Sequence, residues 1–540
     1  MKRDFCNRYE KLPFKAILLS MLIIFVCASA FCGCVSADTP QVSTFEELES
    51  NIDSNQVILT GDITLNKDLT AKNHIFVTNN KGVTLDLGGH TLTFETSTGY
   101  GILLKKGGNL TVKDSSKKKT GVINITTDKK GHLFNVDNGT LYLESGTFKA
   151  NITHKDLPPL VGIMGNNSDS KSDYSKFTLG KEAKLVANGT CWAVGMFRES
   201  GKNNGYGIVA DIYGKIESNY GGITVQGELK PTTINENVPQ IHIHDGAEIN
   251  ISKSNYEDTV SCAVYGAGYG NWTFDEKCIV TGPEVLSIKS GNWTINGGIY
   301  TCNGEYCDPA TANGDGTEPT GAAVSITHGG ETVDAYIGKV ELIIKDGTFI
   351  SKNQSALFEG KNNIPTSTSA LSDKGITITG GTFTTKNSSK LYPIHIMNLL
   401  NKPVNVNTGN NIQLYPNFNL SAANWTKADD DNLILTLYEE ITNLECINLT
   451  LIKDGKKATL NLNGKKITSD KGHLLGWNKS SVSRNVIDVK QIDSTVFEGS
   501  KAYYPLFGYY VTFNNSSGSG TMDNQSFVYN EPQKLNASTF

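Results

Sequence analysis

The chain has 540 residues and a net charge of −5, with 54 glycines, 21 tyrosines and 6 methionines. This length fits several domains or one repeat structure, and the abundance of glycine, β-branched and aromatic residues favours strands and turns over helices. The acidic balance argues against nucleic acid as a partner. After residue 37 only Arg198 and Arg484 remain, too few arginines for a site that clamps phosphates or sugar carboxylates.

Residues 1–37 have the features of an export signal. Basic residues precede an uncharged run from Ala16 to Val35, and Val35, Ser36 and Ala37 form a small-residue cleavage site. A retained signal anchor and a lipid attached at Cys34 are the two alternatives. All three place the rest of the chain outside the cell or on its surface, and only the anchor or the lipid would tie the protein to a membrane.

The stretch STFEELESNI, residues 43–52, predicts a short helix that covers the N-terminal end of the fold. Ser43 and Glu46 have the spacing of a capping box. Phe45, Leu48 and Ile52 fall on one helical face. This is the one convincing helix in the sequence.

The stretch VTLDLGGHTLTF, residues 83–94, alternates strictly and is then interrupted by two glycines. Alternation places Val83, Leu85 and Leu87 inside and Thr84 and Asp86 outside, so that a charge at Leu85 should be costly and loss of the Asp86 carboxylate mild. The glycines predict a corner, because they tolerate positive φ. Weaker copies of the phrase occur at 140–148, 293–300, 342–349 and 376–383.

Short strands, glycine corners and loose self-similarity indicate a β-solenoid, in which each coil buries its inner residues against its neighbours. The phrases TFEELESNI, VILTGDITLNKDLT and GVTLDLGGHTLTF, with the later GGTF corners, resemble the adhesin-like proteins with a pectate-lyase-like fold that anaerobic bacteria and methanogenic archaea export. The resemblance implies an all-β, right-handed parallel β-helix over most of the mature chain. It is weak for activity, since the fold carries lyases, glycoside hydrolases, adhesins and structural surface proteins.

The domain organisation suggests a duplication. VILTGDITL at 57–65 matches LILTLYEEI at 433–441, and VTLDLGGHTL at 83–92 matches ATLNLNGKKI at 458–467. An asparagine-rich stretch with Pro403 and Pro416 lies between the copies. We therefore expect a parallel β-helix over 38–400, a linker or remodelled coil over 401–430, and a second, incomplete β-helix segment over 431–540.

Two sets of residues fit an exported protein. Cys262 with Cys278, and Cys302 with Cys307, could close short loops as disulfides, or could be buried apolar residues in a core. Many asparagines precede x-Ser/Thr and are candidate N-glycosylation sites, although a strand-rich sequence also produces this pattern by chance. These are Asn109, Asn124, Asn138, Asn151, Asn188, Asn250, Asn271, Asn292, Asn424 and Asn448.

Aromatic residues on glycine-rich segments are the best binding candidates in the sequence. Such side chains offer flat apolar plates beside polar groups, which suits sugar rings, but they could equally fill the interior of the coils. The ligand-binding set is Tyr265, Tyr269, Trp272, Trp293 and Tyr306.

IHIHD at 241–245 places His242 and His244 on one face of a strand, but a third metal ligand is not visible in the sequence. No metal or cofactor is therefore predicted. No paired catalytic carboxylates are visible either, so no catalytic residue is assigned.

We expect a secreted or cell-surface, adhesin-like protein that binds glycans or other surface molecules without catalysis. The alternatives are a polysaccharide lyase or glycoside hydrolase on the same fold, and a structural surface-layer component.

Export should depend on the apolar core of residues 1–37. Charged substitutions at Leu18, Leu19 and Leu22 should retain the protein inside the cell, because the segment can no longer enter the translocon. Fractionation of cells that express wild type and the triple variant measures this, and unchanged surface exposure of the variant would contradict it.

Overall fold

The computed structural model describes residues 39–65, 75–96, 99–105, 107–165, 174–198, 207–226, 237–252, 261–305, 320–326, 340–359, 371–386, 393–395, 404–406, 412–415, 418–421, 426–429, 432–436, 440–442, 444–448, 457–480, 487–498, 501–514 and 519–538. The predicted export segment lies outside these ranges. Over the described residues the chain contains one short α-helix and is otherwise built from strands. No helix in these ranges is both long and apolar enough to cross a membrane.

Up to residue 415 the strands stack in parallel on three faces, each coil pairing with the coils before and after it. Face 1 contains Gln41–Val42, Gln56–Leu59, Val83–Asp86, Asn109–Lys113, Ile208–Ile212, Gln240–Ile243, Asn271–Phe274, Gly291–Ile295, Val340–Ile344, Leu371–Ile378 and Val404–Val406. Face 2 contains Ile63–Leu65, Thr91–Phe94, Val122–Thr127, Lys215–Ser218, Glu248–Ile251, Ile279–Gly282, Ile299–Cys302, Thr348–Ser351, Gly381–Thr385 and Ile412–Tyr415. Two long strands, Thr140–Ile152 and Ser175–Gly189, run through both of these faces. Face 3 contains Ile75–Val77, Ile102–Leu104, Phe134–Asp137, Val161–Gly165, Trp192–Arg198, Gly221–Val225, Cys262–Gly266, Glu284–Ile288, Val324–Ile326, Leu357–Glu359 and Ile394–His395. The fold is therefore the expected parallel β-helix.

The interior is filled by columns of apolar side chains that continue from coil to coil. On face 1, Leu85 pairs with Val112, Val112 with Leu143, Leu143 with Leu179 and Leu179 with Ile212. All five side chains are fully buried. Full burial of each such side chain contributes about 1.5 to 3 kcal/mol to the stability of the fold. The alternate apolar residues of the sequence therefore form the core.

The C-terminal part has a different organisation. Its strands are Phe418–Ser421, Thr426–Asp429, Asn432–Thr436, Ile441–Thr442, Leu444–Asn448, Lys457–Asn461, Ile467–Ser469, Gly472–Asn478, Val489–Lys490, Ser494–Glu498, Ala502–Val511 and Gln525–Val528. Parallel and antiparallel pairs occur side by side, and a separate apolar cluster lies around Trp477, Phe497 and Tyr503. The segment expected over 431–540 as a second, incomplete β-helix thus combines parallel with antiparallel pairs.

The duplicated phrases nevertheless pair alike. Gln56–Leu59 lies parallel to Val83–Asp86, and Asn432–Thr436 lies parallel to Lys457–Asn461. The next strands pair in parallel as well. Ile63–Leu65 pairs with Thr91–Phe94 in the first copy, and Ile441–Thr442 pairs with Ile467–Ser469 in the second. The matched sequences thus build the same two-coil unit.

The N-terminal helix is present and spans Phe45–Asn51. Its capping box is formed by Thr44 and Glu47, one residue later than the expected Ser43 and Glu46. Phe45 and Leu48 are buried, as the helical face predicted. The shift follows from the extended φ of −125° at Thr44, which makes that residue the N-cap.

The two glycines after residue 87 form the predicted corner, with φ of +56° at Gly88 and +86° at Gly89. Asp86 does not point into solvent as alternation predicted, since it is only 3% exposed. Its carboxylate accepts hydrogen bonds from the backbone N–H of Gly88 at 3.0 Å and of Ser115 in the next coil at 2.9 Å. The expectation that loss of the Asp86 carboxylate is mild assumed an exposed side chain. That assumption is wrong, because the carboxylate satisfies buried backbone donors.

Asp114, one coil further on, is fully buried and ties the same corner to its neighbour. Its carboxylate accepts from the backbone N–H of Gly89 at 2.9 Å, of Ser116 at 3.0 Å and of Gly121 at 2.6 Å. Burial opposes ionisation, but these donors outweigh it and hold the pKa of Asp114 below its ordinary value. This corner is therefore held by two carboxylates that accept from backbone N–H groups inside the turn.

Replacing Asp114 with Asn should lower the free energy of unfolding by about 3 kcal/mol at neutral pH, because an amide nitrogen would face backbone N–H donors. The lowered pKa makes this stabilisation present above the unfolded-state pKa of about 3.9 and lost as the pH falls through the folded-state pKa. Denaturant unfolding at pH 7 and in acid measures both effects. The control is Asp128→Asn, whose side chain is 73% exposed. Equal stability of the two variants at pH 7 would contradict the role of Asp114.

Candidate functional site

Four of the five aromatic residues expected to bind a ligand are buried. Trp272 and Trp293 are each 1% exposed and stack on one another inside the coils, with ring centroids 4.5 Å apart and planes 9° apart. Tyr265 is 7% exposed and stacks on Trp192, while Tyr269 is 5% exposed and packs on Val238.

These four side chains offer no open ring face to a sugar. They fill space inside the protein, which is the alternative that the sequence left open. The glycines of the YGAGYG segment have a packing role. A Cβ at Gly266 would lie 2.3 Å from the Trp293 ring. Tyr306 lies outside the described residues.

The cysteines are also core residues. Cys262 and Cys278 are both fully buried free thiols, so the expected bond between them is not formed. Cys262 lies on face 3, Cys278 lies in the corner before the face 2 strand Ile279–Gly282, and Cys278 Sγ is 3.4 Å from the Tyr300 hydroxyl. Burial raises the pKa of Cys278 to about 11, which keeps its thiol protonated. Cys302 is a buried free thiol as well, and its proposed partner Cys307 lies outside the described residues.

Several sequon asparagines form ladders between coils. Asn271 Nδ2 donates to Gln240 Oε1 at 3.3 Å, and Asn292 Nδ2 donates to Asn271 Oδ1 at 3.0 Å. Asn124 Nδ2 similarly donates to Thr93 Oγ1 at 3.1 Å. These amides therefore have a structural use, and glycosylation remains a prediction. Asn424 lies outside the described residues.

A cluster of ionisable side chains covers the outside of face 1. We call it the His–Asp cluster: Asp211, Tyr213, His242, His244 and Asp275. Asp211 pairs with His242 in the strand register of neighbouring coils. Tyr213, His244 and Asp275 each follow the last residue of a face 1 strand, in three consecutive coils. Alternation turns all five outward, and stacking brings them together.

The contacts within the His–Asp cluster run diagonally between coils. His244 Nε2 lies 2.8 Å from Asp211 Oδ1 in the preceding coil. His242 Nε2 lies 2.8 Å from Asp275 Oδ1 in the following coil, and Asp275 Oδ2 is 3.5 Å from His244 Nδ1. The two imidazole centroids are 3.6 Å apart. Asp275 therefore contacts both imidazoles, while Asp211 contacts His244 and lies beside His242 in the strand register.

The phenol of Tyr213 completes the His–Asp cluster by stacking on His244, with centroids 3.8 Å apart and planes 8° apart. Burial and the negative charges of Asp211 and Asp275 raise the pKa of Tyr213. His244 is the more enclosed of the two imidazoles in the cluster, with 15% of its side chain exposed against 36% for His242. The cluster is thus partly enclosed and partly open to solvent.

Of these five residues the sequence singled out only the two histidines. The others have a visible signal once coils are aligned: ADIY, IHIH and WTFD place their polar residues at equal offsets around an inward apolar residue. That alignment needs the length of each coil, which varies along the chain because loops of different lengths separate the strands.

An open groove of about 1000 Å³ adjoins the His–Asp cluster. We call it the corner groove, because its walls are the stacked corners at 275–279, 296–299 and 345–348, with Asp245 and Thr382 at its ends. Ile279 and Ile299 lie side by side in the groove and are 40% and 45% exposed. Asp275 belongs to both the corner groove and the His–Asp cluster.

Fold and site together define a parallel β-helix that carries an Asp–His–Tyr cluster beside an open groove on its outer surface. No protein-family model, curated protein or solved structure matches the chain.

Trp293 should behave as a core residue. Trp293→Ala should lower the free energy of unfolding by about 4 kcal/mol, because it removes a stacked, buried indole and leaves a cavity. Trp272→Phe is the control: it keeps an apolar ring, and the Trp272 indole nitrogen has no hydrogen-bond partner among the described residues. Denaturant unfolding of the two variants measures the difference. A Trp293→Ala variant that lost ligand binding at unchanged stability would contradict the core assignment.

Proposed function

We propose that this chain is an exported, cell-surface or secreted, adhesin-like protein on a pectate-lyase-like β-helix, and that its corner groove binds glycans. The observation that carries the proposal is the exposed pair Ile279 and Ile299, which lies among charged and polar corner residues. The same column of face 2 holds Lys215 and Glu248 before the pair and Thr348 and Thr382 after it.

An apolar strip bordered by hydrogen-bonding groups suits a sugar, whose C–H faces are apolar and whose hydroxyls are polar. Carboxylates outnumber ammonium groups in the groove, which favours neutral sugars over acidic ones. The charged lining residues are Asp245, Asp275, Glu276, Asp346, Lys277 and Lys345. The open shape of the groove lets an extended chain pass along it, and binding at several copies on a cell surface would add avidity.

The second candidate function is a polysaccharide lyase or glycoside hydrolase. The His–Asp cluster favours it, because two imidazoles, each 2.8 Å from a carboxylate, and a phenol stacked on one of them can exchange protons with a substrate. Asp275 would join such a reaction centre to the corner groove. The corner groove supports binding without requiring this chemistry, so we place binding first.

Serine at both Ile279 and Ile299 should weaken glycan binding about tenfold or more, because the double variant removes the apolar strip that a sugar face would cover. A glycan array with purified protein identifies the probe glycan, and calorimetry with that glycan compares the variants. Ile492→Ser, at a site 58% exposed in the C-terminal part, is the matched control and should bind as wild type does.

Three results would overturn the proposal. An array that captures no glycan, together with self-association of the protein, would favour a structural surface-layer role. Equal affinity of the double variant and wild type would place binding elsewhere. Release of reducing or unsaturated sugar ends that stops in Asp275→Asn would establish the enzyme instead.

A further inference from the structure

We infer that the His–Asp cluster is a binding site for a divalent transition-metal ion, with Asp211, His242 and His244 as ligands. The ligand atoms of these three side chains all lie within 4.8 Å of one another. They come from two adjacent coils, so the stacking of the β-helix presents them together on one outer face. The inference is independent of whether the corner groove binds glycans.

The distances allow an ion to enter with small side-chain movements. Tetrahedral zinc with bonds of about 2.0 to 2.1 Å places its ligand atoms about 3.3 Å apart. The present separation of 2.8 Å between His244 Nε2 and Asp211 Oδ1 would open slightly, and the third ligand would move in from at most 4.8 Å. His242 and His244 are two residues apart on the outside of one coil, so both imidazoles can turn toward the same point.

Charge favours a divalent cation at this place. A metal ion binds imidazoles in their neutral form, so the carboxylates of Asp211 and Asp275 would balance the charge of a divalent cation. Asp275 Oδ2 lies 3.5 Å from His244 Nδ1, on the ring nitrogen that does not face Asp211. A carboxylate in that position fixes the orientation of a metal-binding imidazole, so we assign Asp275 as a positioning residue.

The donor set selects the kind of ion. Imidazole nitrogen suits zinc and its neighbours in the first transition row, whereas calcium and magnesium prefer oxygen ligands throughout. Three protein ligands leave a coordination position open. The site is only partly enclosed, with His242 36% and Asp211 34% exposed, so water or a ligand can reach that position.

Calorimetric titration of zinc chloride into metal-free, untagged full-length protein tests the inference. Wild type should take up one zinc ion, and His244→Gln and Asp211→Asn should each weaken binding by about 100-fold or more. Asp275→Asn should weaken it by about 10-fold, because it loosens the imidazole without removing a ligand. Cobalt substitution gives a second readout, since His244→Gln should change the visible absorption of the bound ion.

His90→Gln is the matched control, because His90 Nδ1 lies 3.5 Å from Asp62 in an exposed pair that no second imidazole of the described residues joins. It should keep the zinc affinity of wild type. Circular dichroism establishes that each variant is folded, and if one ligand variant unfolds, the other decides. The inference is overturned if wild type takes up no zinc at millimolar concentration, or if a folded ligand variant binds zinc as wild type does.

Discussion

The rest of this structure depends on the parallel pairing of each coil with the next. A single coil cannot bury its inward side chains, and only neighbouring coils supply the missing contacts. The stacks Trp272 on Trp293 and Tyr300 on Phe349 on Phe383 show this directly, since like rings lie over one another along the axis. Because coils repeat about every 4.8 Å, the outer side chains are also set at contact distance from the coils above and below.

The corners obey a different rule from the strands between them. Where the chain turns, backbone donors face inward and need acceptors, so a carboxylate there is more useful than an apolar group. Asp86 and Asp114 fill this role and connect the turns of adjacent coils. Burial of these acids is tolerated because two backbone N–H groups converge on Asp86 and three on Asp114.

The same stacking makes chemistry possible on an outer face. His242 and His244 belong to one coil, while Asp211 and Tyr213 come from the coil before and Asp275 from the coil after. Diagonal contacts between coils join them into one cluster, and Asp275 extends the cluster to the corner groove. A repeat fold thereby gathers functional groups from residues that are distant in sequence without needing a domain interface.

The sequence by itself determined the all-β class, the inward columns such as Leu85 and Leu143, the glycine corner after Leu87 and the N-terminal helix, because alternation and glycine conformation are local properties. Alternation assigns a side chain to a face but not its depth, so it misplaced Asp86 and left open whether Trp272 was core or binding surface. Only the tertiary structure decided which outer residues meet, since loops of unequal length set the register between coils. Asp211 and Asp275 therefore join the two histidines through stacking, which no local pattern encodes.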